Sequence, residues 1–151
     1  MRYDRRMKRW LAAGAIALVA VVAAVQLRQA PPSGRVTASA DADRSLAEAF
    51  ERHDRNVLVE GQGTVIRVLS DDREGNRHQR FILRLASGQT VLVAHNIDLA
   101  RRIASLRVGD SVSFRGEYEW NAVGGVIHWT HADPASRHPA GWIKHHGETY
   151  Q

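Results

Sequence analysis

The 151-residue chain has no cysteine. That excludes disulfides, thiolate nucleophiles and thiolate metal sites. It has no HExxH motif and no nucleophile with an evident base beside it, so local order spells out no catalytic site. It also lacks positive charge where a nucleic-acid binder carries it. The formal net charge is +5, yet Arg2, Arg5, Arg6, Lys8, Arg9 and Arg28, set against Asp4 alone, supply all of it. From residue 32 onward, fifteen basic residues meet fifteen acidic ones and the formal net charge is zero. Phosphate contacts give nucleic-acid binders most of their affinity, so nucleic acid is not favoured as a partner, and only a local basic patch stays open.

Long apolar runs are scarce too, with one exception. Trp10 to Leu27 (WLAAGAIALVAVVAAVQL) has no formal charge and follows five basic residues. A basic segment before an apolar core is an export signal. Eighteen residues at a helical rise of ~1.5 Å span roughly the hydrocarbon thickness. The residues after the core (QLRQAPP) suit a signal peptidase poorly, while Ala38-Ser39-Ala40 suits it but lies far downstream. The reading is an N-terminal transmembrane helix or signal anchor over residues 1–28. Residues 10–27 sit in the inner membrane as a single pass, with the globular part in the periplasm by the positive-inside rule. Secretion to the periplasm after cleavage is the alternative.

Residues 29–44, rich in Ala, Ser and Pro, read as a flexible linker. Residues 45–151 read as one domain. Ser45-Leu46-Ala47-Glu48 fits a capping box, and Leu46, Ala49, Phe50 and His53 share the face of a short helix.

Five segments then read as strands. Val57–Leu69 is long and broken by Gly61 and Gly63, which mark bulging or coiling. Gln79–Ala86 and Gln89–His95 alternate apolar and polar residues on either side of Ser87-Gly88. Asn96 or Asp98 can cap a helix carrying Leu99, Ile103 and Leu106 at i, i+4 and i+7. Ser111–Trp120 alternates again, and Val126–His131 returns after a turn at Asn121–Gly125. Phe81, Leu83, Val91, Val93, Val112, Phe114 and Ile127 are the expected core. Strand, strand, strand, helix, strand, strand is the order of an OB-fold. The predicted fold is therefore mainly β: a five-stranded OB-fold-like Greek-key barrel with a helix between strands 3 and 4. Another small barrel, such as an SH3-like one, is the alternative.

Some strings are specific: Arg77-His78-Gln79-Arg80-Phe81-Ile82-Leu83, Val93-Ala94-His95-Asn96-Ile97-Asp98-Leu99, Gly116-Glu117-Tyr118-Glu119-Trp120-Asn121, Gly125-Val126-Ile127-His128-Trp129-Thr130-His131 and Gly141-Trp142-Ile143-Lys144-His145. On these, the stretch from about Val59 to Tyr150 resembles the uncharacterised bacterial family called domain of unknown function 3465. The resemblance implies a small exported protein and transfers no catalytic residue.

Five of the eight histidines (His128, His131, His138, His145, His146) fall in the last 24 residues. OB domains bind ligands at strand ends and at the loops between strands 1–2 and 4–5. The candidate ligand-binding residues are His78, Arg80, Arg84, His95, Trp120, His128 and His131. Histidine is also the commonest metal ligand. His128, His131, His138, His95 and Asp133 are therefore candidate zinc ligands, although His128 and His131 would face opposite sides of a regular strand. The tail beyond Thr130 is expected to fold back over the barrel with Trp142 as its anchor, bringing His138 and His145 near His128 or His131. No residue is assigned a catalytic role. The leading reading is a binding module for a small ligand or envelope protein. The alternative is a zinc-dependent hydrolase or nuclease built on the C-terminal histidines.

Overall fold

The computed structural model describes residues 33–133 and 135–151. The expected membrane span lies outside them. Among the described residues no helix is long and apolar enough to cross a membrane. Thr37 to Gln151 form one compact unit.

Helix α1 spans Ser33–Glu51. Residues 33–44, expected in a linker, are thus helical. Ser45 does not cap the helix: its hydroxyl donates to the Asp41 carbonyl one turn back, over 3.0 Å. The helix stops where His53 takes a φ of 57°. The His53 and Asp54 amides then close back on the carbonyls of Phe50 and Ala49 at 3.1 and 2.9 Å, a Schellman end. Leu46 and Ala49 are buried in the core. On the same side of the helix, buried Asp43 accepts from the Ser87 amide at 2.8 Å, which ties α1 to the turn after the second strand.

Five strands close a barrel: β1 (Arg55–Val68), β2 (His78–Arg84), β3 (Thr90–Asn96), β4 (Ser111–Glu119) and β5 (Val126–His128). The order around it is β1-β2-β3-β5-β4, and β1 also pairs with β4 to complete the ring. β5 runs parallel to β3 and antiparallel to β4. One long strand serves two partners because it changes hands at Thr64, which faces Ser111 of β4 and Arg84 of β2. Gly63 permits the crossing: a Cβ there would lie 2.9 Å from the Arg84 carbonyl oxygen. The bulges themselves fall elsewhere in β1, between Val65 and Arg67 and between Arg55 and Val57.

The alternation predicts the core correctly, and all seven expected residues are buried. The helix between β3 and β4 is not there. Asn96 does start a helical turn, its side chain accepting from the amides of Asp98 (2.9 Å) and Leu99 (3.3 Å). The turn is not propagated, because side chains of the barrel take up the next backbone groups. The Gln79 amide bonds both the N–H and the C=O of Ile103 at 2.9 Å, and His95 Nε2 donates to the Arg101 carbonyl at 3.2 Å. Ile103 and Leu106 plug the barrel end, while Leu99 is 59% exposed.

The tail adds two strands, β6 (Trp142–His145) and β7 (Glu148–Tyr150), against the first half of β4. Its anchor is Ile143, fully buried, and not Trp142. Trp142 lies half-buried beneath Lys144, whose Nζ sits 4.1 Å from the ring centroid. Alternation along β6 decides this: only one of two neighbours can face inward.

Candidate functional site

The site is built where β5 gives out. β5 stops at His128 because Trp129 adopts a φ of 51°, a left-handed conformation that is an outlier for a bulky residue. That break resets the alternation. His128 faces outward on the barrel wall, Thr130 turns in, and His131 is buried behind it. The strand is not regular here, so the spacing argument does not apply: His128 is half-buried on the outer wall and His131 is buried. Burial pushes the His128 pKa down. Glu119 opposes that shift, and His78, His138 and His131 are close enough to add to it.

The loop after β5 folds around Asp133. Its carboxylate, itself nearly buried, accepts from the amides of Ala135 (3.1 Å), Arg137 and His138 (2.9 Å). This brings the His138 ring flat against Trp129, with centroids 4.3 Å apart, and edge-on to His131 at 5.0 Å. Trp129 stays 36% exposed. His131 Nδ1 donates to the Ala132 carbonyl at 2.7 Å and His138 Nδ1 to the Pro139 carbonyl at 2.9 Å. The chain then crosses back at Gly141, whose amide bonds the His131 carbonyl at 2.8 Å. Any side chain at Gly141 would collide with the carbonyls of Trp129 and Arg115.

Next to this surface, Glu117 of β4 faces His128 directly across the sheet. His128 Nε2 lies 3.6 Å from Glu117 Oε1, is shut off from solvent and has no hydrogen-bond partner. Burial raises the Glu117 pKa, and the neighbouring Glu119 raises it further.

The other candidates do different work. His95 is fully buried: Nδ1 accepts from the Thr130 hydroxyl at 2.8 Å while Nε2 bonds Arg101, so neither nitrogen is left for a ligand. Burial lowers its pKa to about 4. Trp120 clamps α1, with its ring 4.1 Å from that of His53 and 6.4 Å from that of Phe50. Arg80 donates to the Ser70 carbonyl at 3.1 Å. Arg84 is exposed at the other end of β2, facing Thr90 of β3. His78 is half-buried at the start of β2, where its backbone bridges to Asp72. Of the candidate ligand-binding set, His128 borders Trp129, buried His131 packs behind it against His138, and His78 is near by.

The expected metal set does not converge. Among the described residues, two groups bring three His, Asp or Glu ligand atoms within 4.8 Å of one another. They are Glu117, Glu119 and His128, and Asp110, His145 and His146. His131, His138, His95 and Asp133 belong to neither. His145 is not beside His128 or His131. It lies in the β6–β7 hairpin, bonded through Nε2 to Asp110 Oδ2 at 2.8 Å.

A family model described as protein of unknown function (DUF3465) matches residues 31–151. The chain belongs to this family. No curated protein matches it. In this DUF3465 chain the matched stretch covers the whole barrel, its tail and the Trp129 surface. Glu117, Glu119 and Asp110 are the site residues that sequence reasoning passes over. On a strand with alternating pattern, Glu117 and Glu119 read as an ordinary solvent face. Only the register across the β4–β5 turn, which sets Glu117 against His128, gives them away.

Proposed function

We propose that this DUF3465 chain is a non-catalytic binding module of OB type that takes a small ligand or an envelope protein on the surface around Trp129. Residues 10–27 anchor it in the inner membrane with the barrel on the periplasmic side. The strand order supports the OB assignment: β1 is shared between β2 and β4, and β5 lies parallel to β3. Five basic residues before the apolar run support the orientation.

One observation carries the binding reading. A bulky tryptophan is held in a left-handed conformation with its ring exposed and braced on His138. Such a backbone costs on the order of 1–3 kcal/mol and persists only where the surroundings impose it, which concentrates it at functional sites. Aromatic rings that are rigid and partly wet are what binding surfaces use as anchors. The zinc hydrolase alternative loses its geometric basis, since its histidines do not meet.

The test is NMR of the full chain in detergent, following the Trp129 indole N–H during titration with oligosaccharides, short peptides, nucleotides and dicarboxylates. One class should shift Trp129 and its neighbours His128 and His138. Trp129→Ala should then bind about tenfold more weakly, ~1.4 kcal/mol. A ligand bound equally well by Trp129→Ala, or shifts confined to the β6–β7 hairpin, would refute the reading.

A further inference from the structure

We infer that Glu117, Glu119 and His128 form a binding site for a divalent transition-metal ion of the zinc kind, with Asn56 as a fourth donor. The site borders the Trp129 ligand surface through His128, whose ring lies 5.1 Å from that of Trp129, but it needs no ligand there. Three strands hold it. Glu117 and Glu119 lie two residues apart on the outer face of β4, and His128 faces Glu117 from β5. Asn56 comes from β1, at the bulge between Arg55 and Val57, with a φ of 55°. Bulges re-aim side chains next to functional sites. This one turns Asn56 onto both carboxylates: its amide lies 3.2 Å from Glu117 Oε1 and 3.1 Å from Glu119 Oε1. Its backbone N–H also bonds Glu119 Oε1 at 3.2 Å.

The arrangement is short of positive charge. Two carboxylates sit side by side, and the Glu117 side chain is only 12% exposed. Among the described residues, the one basic side chain within 4.0 Å of either is His128. Its Nε2 is an orphaned buried atom pointed at Glu117. A cation between them would neutralise the carboxylates and occupy the free lone pair at once.

The donor set selects the ion. Carboxylate oxygens with one imidazole nitrogen suit zinc and its neighbours better than calcium or magnesium, which want oxygen alone. The ligand atoms lie within 4.8 Å of one another. A tetrahedral zinc ion with bonds of ~2.0–2.2 Å needs them about 3.3 Å apart, so the side chains close by small rotamer changes. In the orientation that satisfies both carboxylates, Asn56 turns its Nδ2 to them. Rotated by half a turn, it offers Oδ1 to the metal instead.

The second cluster fails the same reasoning. His145 Nε2 already donates to Asp110, and its Nδ1 is buried without a partner. Giving Nε2 to a metal would move the proton to Nδ1 and strand a buried N–H. Metal-bound histidines instead donate their second nitrogen to an acceptor. Asp110–His145 is a structural pair.

The experiment is equilibrium dialysis of the untagged, chelator-stripped full chain against zinc chloride alone, with cobalt(II) as a spectroscopic substitute. One zinc per chain is expected, with a raised melting temperature and visible cobalt absorption. Glu119→Gln and His128→Ala should each weaken binding at least tenfold and abolish the cobalt band, while His146→Ala leaves both unchanged. Circular dichroism confirms that each variant is folded, and the near-isosteric Glu119→Gln keeps the test valid should His128→Ala unfold. Four results would overturn the inference: no stoichiometric zinc, binding retained in Glu119→Gln, binding lost in His146→Ala, or several loosely held ions indifferent to all three variants. No other ligand is present in this titration, so its failure leaves the Trp129 surface as it stood.

Discussion

His95 and His145 are both shut off from solvent, yet each is fixed differently by its partners. His145 donates to a carboxylate. His95 has only a hydroxyl and a carbonyl, neither of which stabilises a charged ring much, and burial holds its pKa at about 4. Its ordinary value is about 6.5, so the unfolded chain binds a proton there between pH 6.5 and 4 and the folded chain does not. The stability is therefore complete above about pH 6.5 and drains away as pH falls toward 4, by roughly 3 kcal/mol in all. Urea unfolding at pH 7 and pH 5 should show this loss, and His95→Gln should flatten much of it. A midpoint unmoved between the two pH values in the parent chain would contradict the assignment. At this scale the core residues were legible, because a period of two says which side chains face inward. Trp129 was not. Nothing in Val126-Ile127-His128-Trp129 announces a left-handed residue, and the end of β5 follows from it.

Among the elements, the stretch from Asn96 to Asp110 shows why an amphipathic pattern is not a helix. Its apolar spacing and its cap are real, and Ile103 and Leu106 are buried as a helix would bury them. The choice was made by Gln79, one strand away, whose amide serves both polar groups of the Ile103 backbone. Gln79→Ala should leave a buried N–H and C=O unpaired, at a cost on the order of 2–4 kcal/mol. Denaturant unfolding reads the loss, and hydrogen exchange at the Ile103 amide should accelerate with it. A change below about 0.5 kcal/mol would mean that water serves the loop equally well. The tail hairpin was hidden for another reason. Its two-residue turn is His146-Gly147, with φ of 49° and 81°. Both central residues at positive φ is a type I′ turn, which Asn-Gly usually signals, and a histidine in the first place gives no warning. Helix α1 began early because Ala, Ser and Asp at 38–43 read equally well as tether and as helix.

For the whole molecule, the strand order was legible because turns and alternation delimit five strands whatever lies between them. The closing pair, β1 with β4, was implied only by the barrel. The division of charge is also a whole-molecule property: a basic leading end and a neutral remainder. The proposed orientation leads to a direct expectation. Alkaline phosphatase fused after Gln151 should be active in intact cells, and Edman sequencing of the mature protein should begin at Met1 or Arg2. An inactive fusion would refute export, and a new N-terminus near Ala40 would show a cleaved signal in place of an anchor.

The sharing of β1 between two partners has a kinetic side. Thr64 to Val68 can pair with β2 as soon as the Phe81 region exists, but Leu58 must wait for Glu117 and Gly61 for Phe114. Until then half of β1 is an open edge, and the three-stranded sheet before it has an uncovered apolar face. Pairings so distant along the chain slow folding, toward the millisecond-to-second range of β-barrels. They also leave the growing chain without a reason to fold before its last third has arrived. A chain that stays loose until then is in a threadable state for most of its synthesis, and the barrel shuts only when β4 pairs with β1 and β5 links β4 to β3.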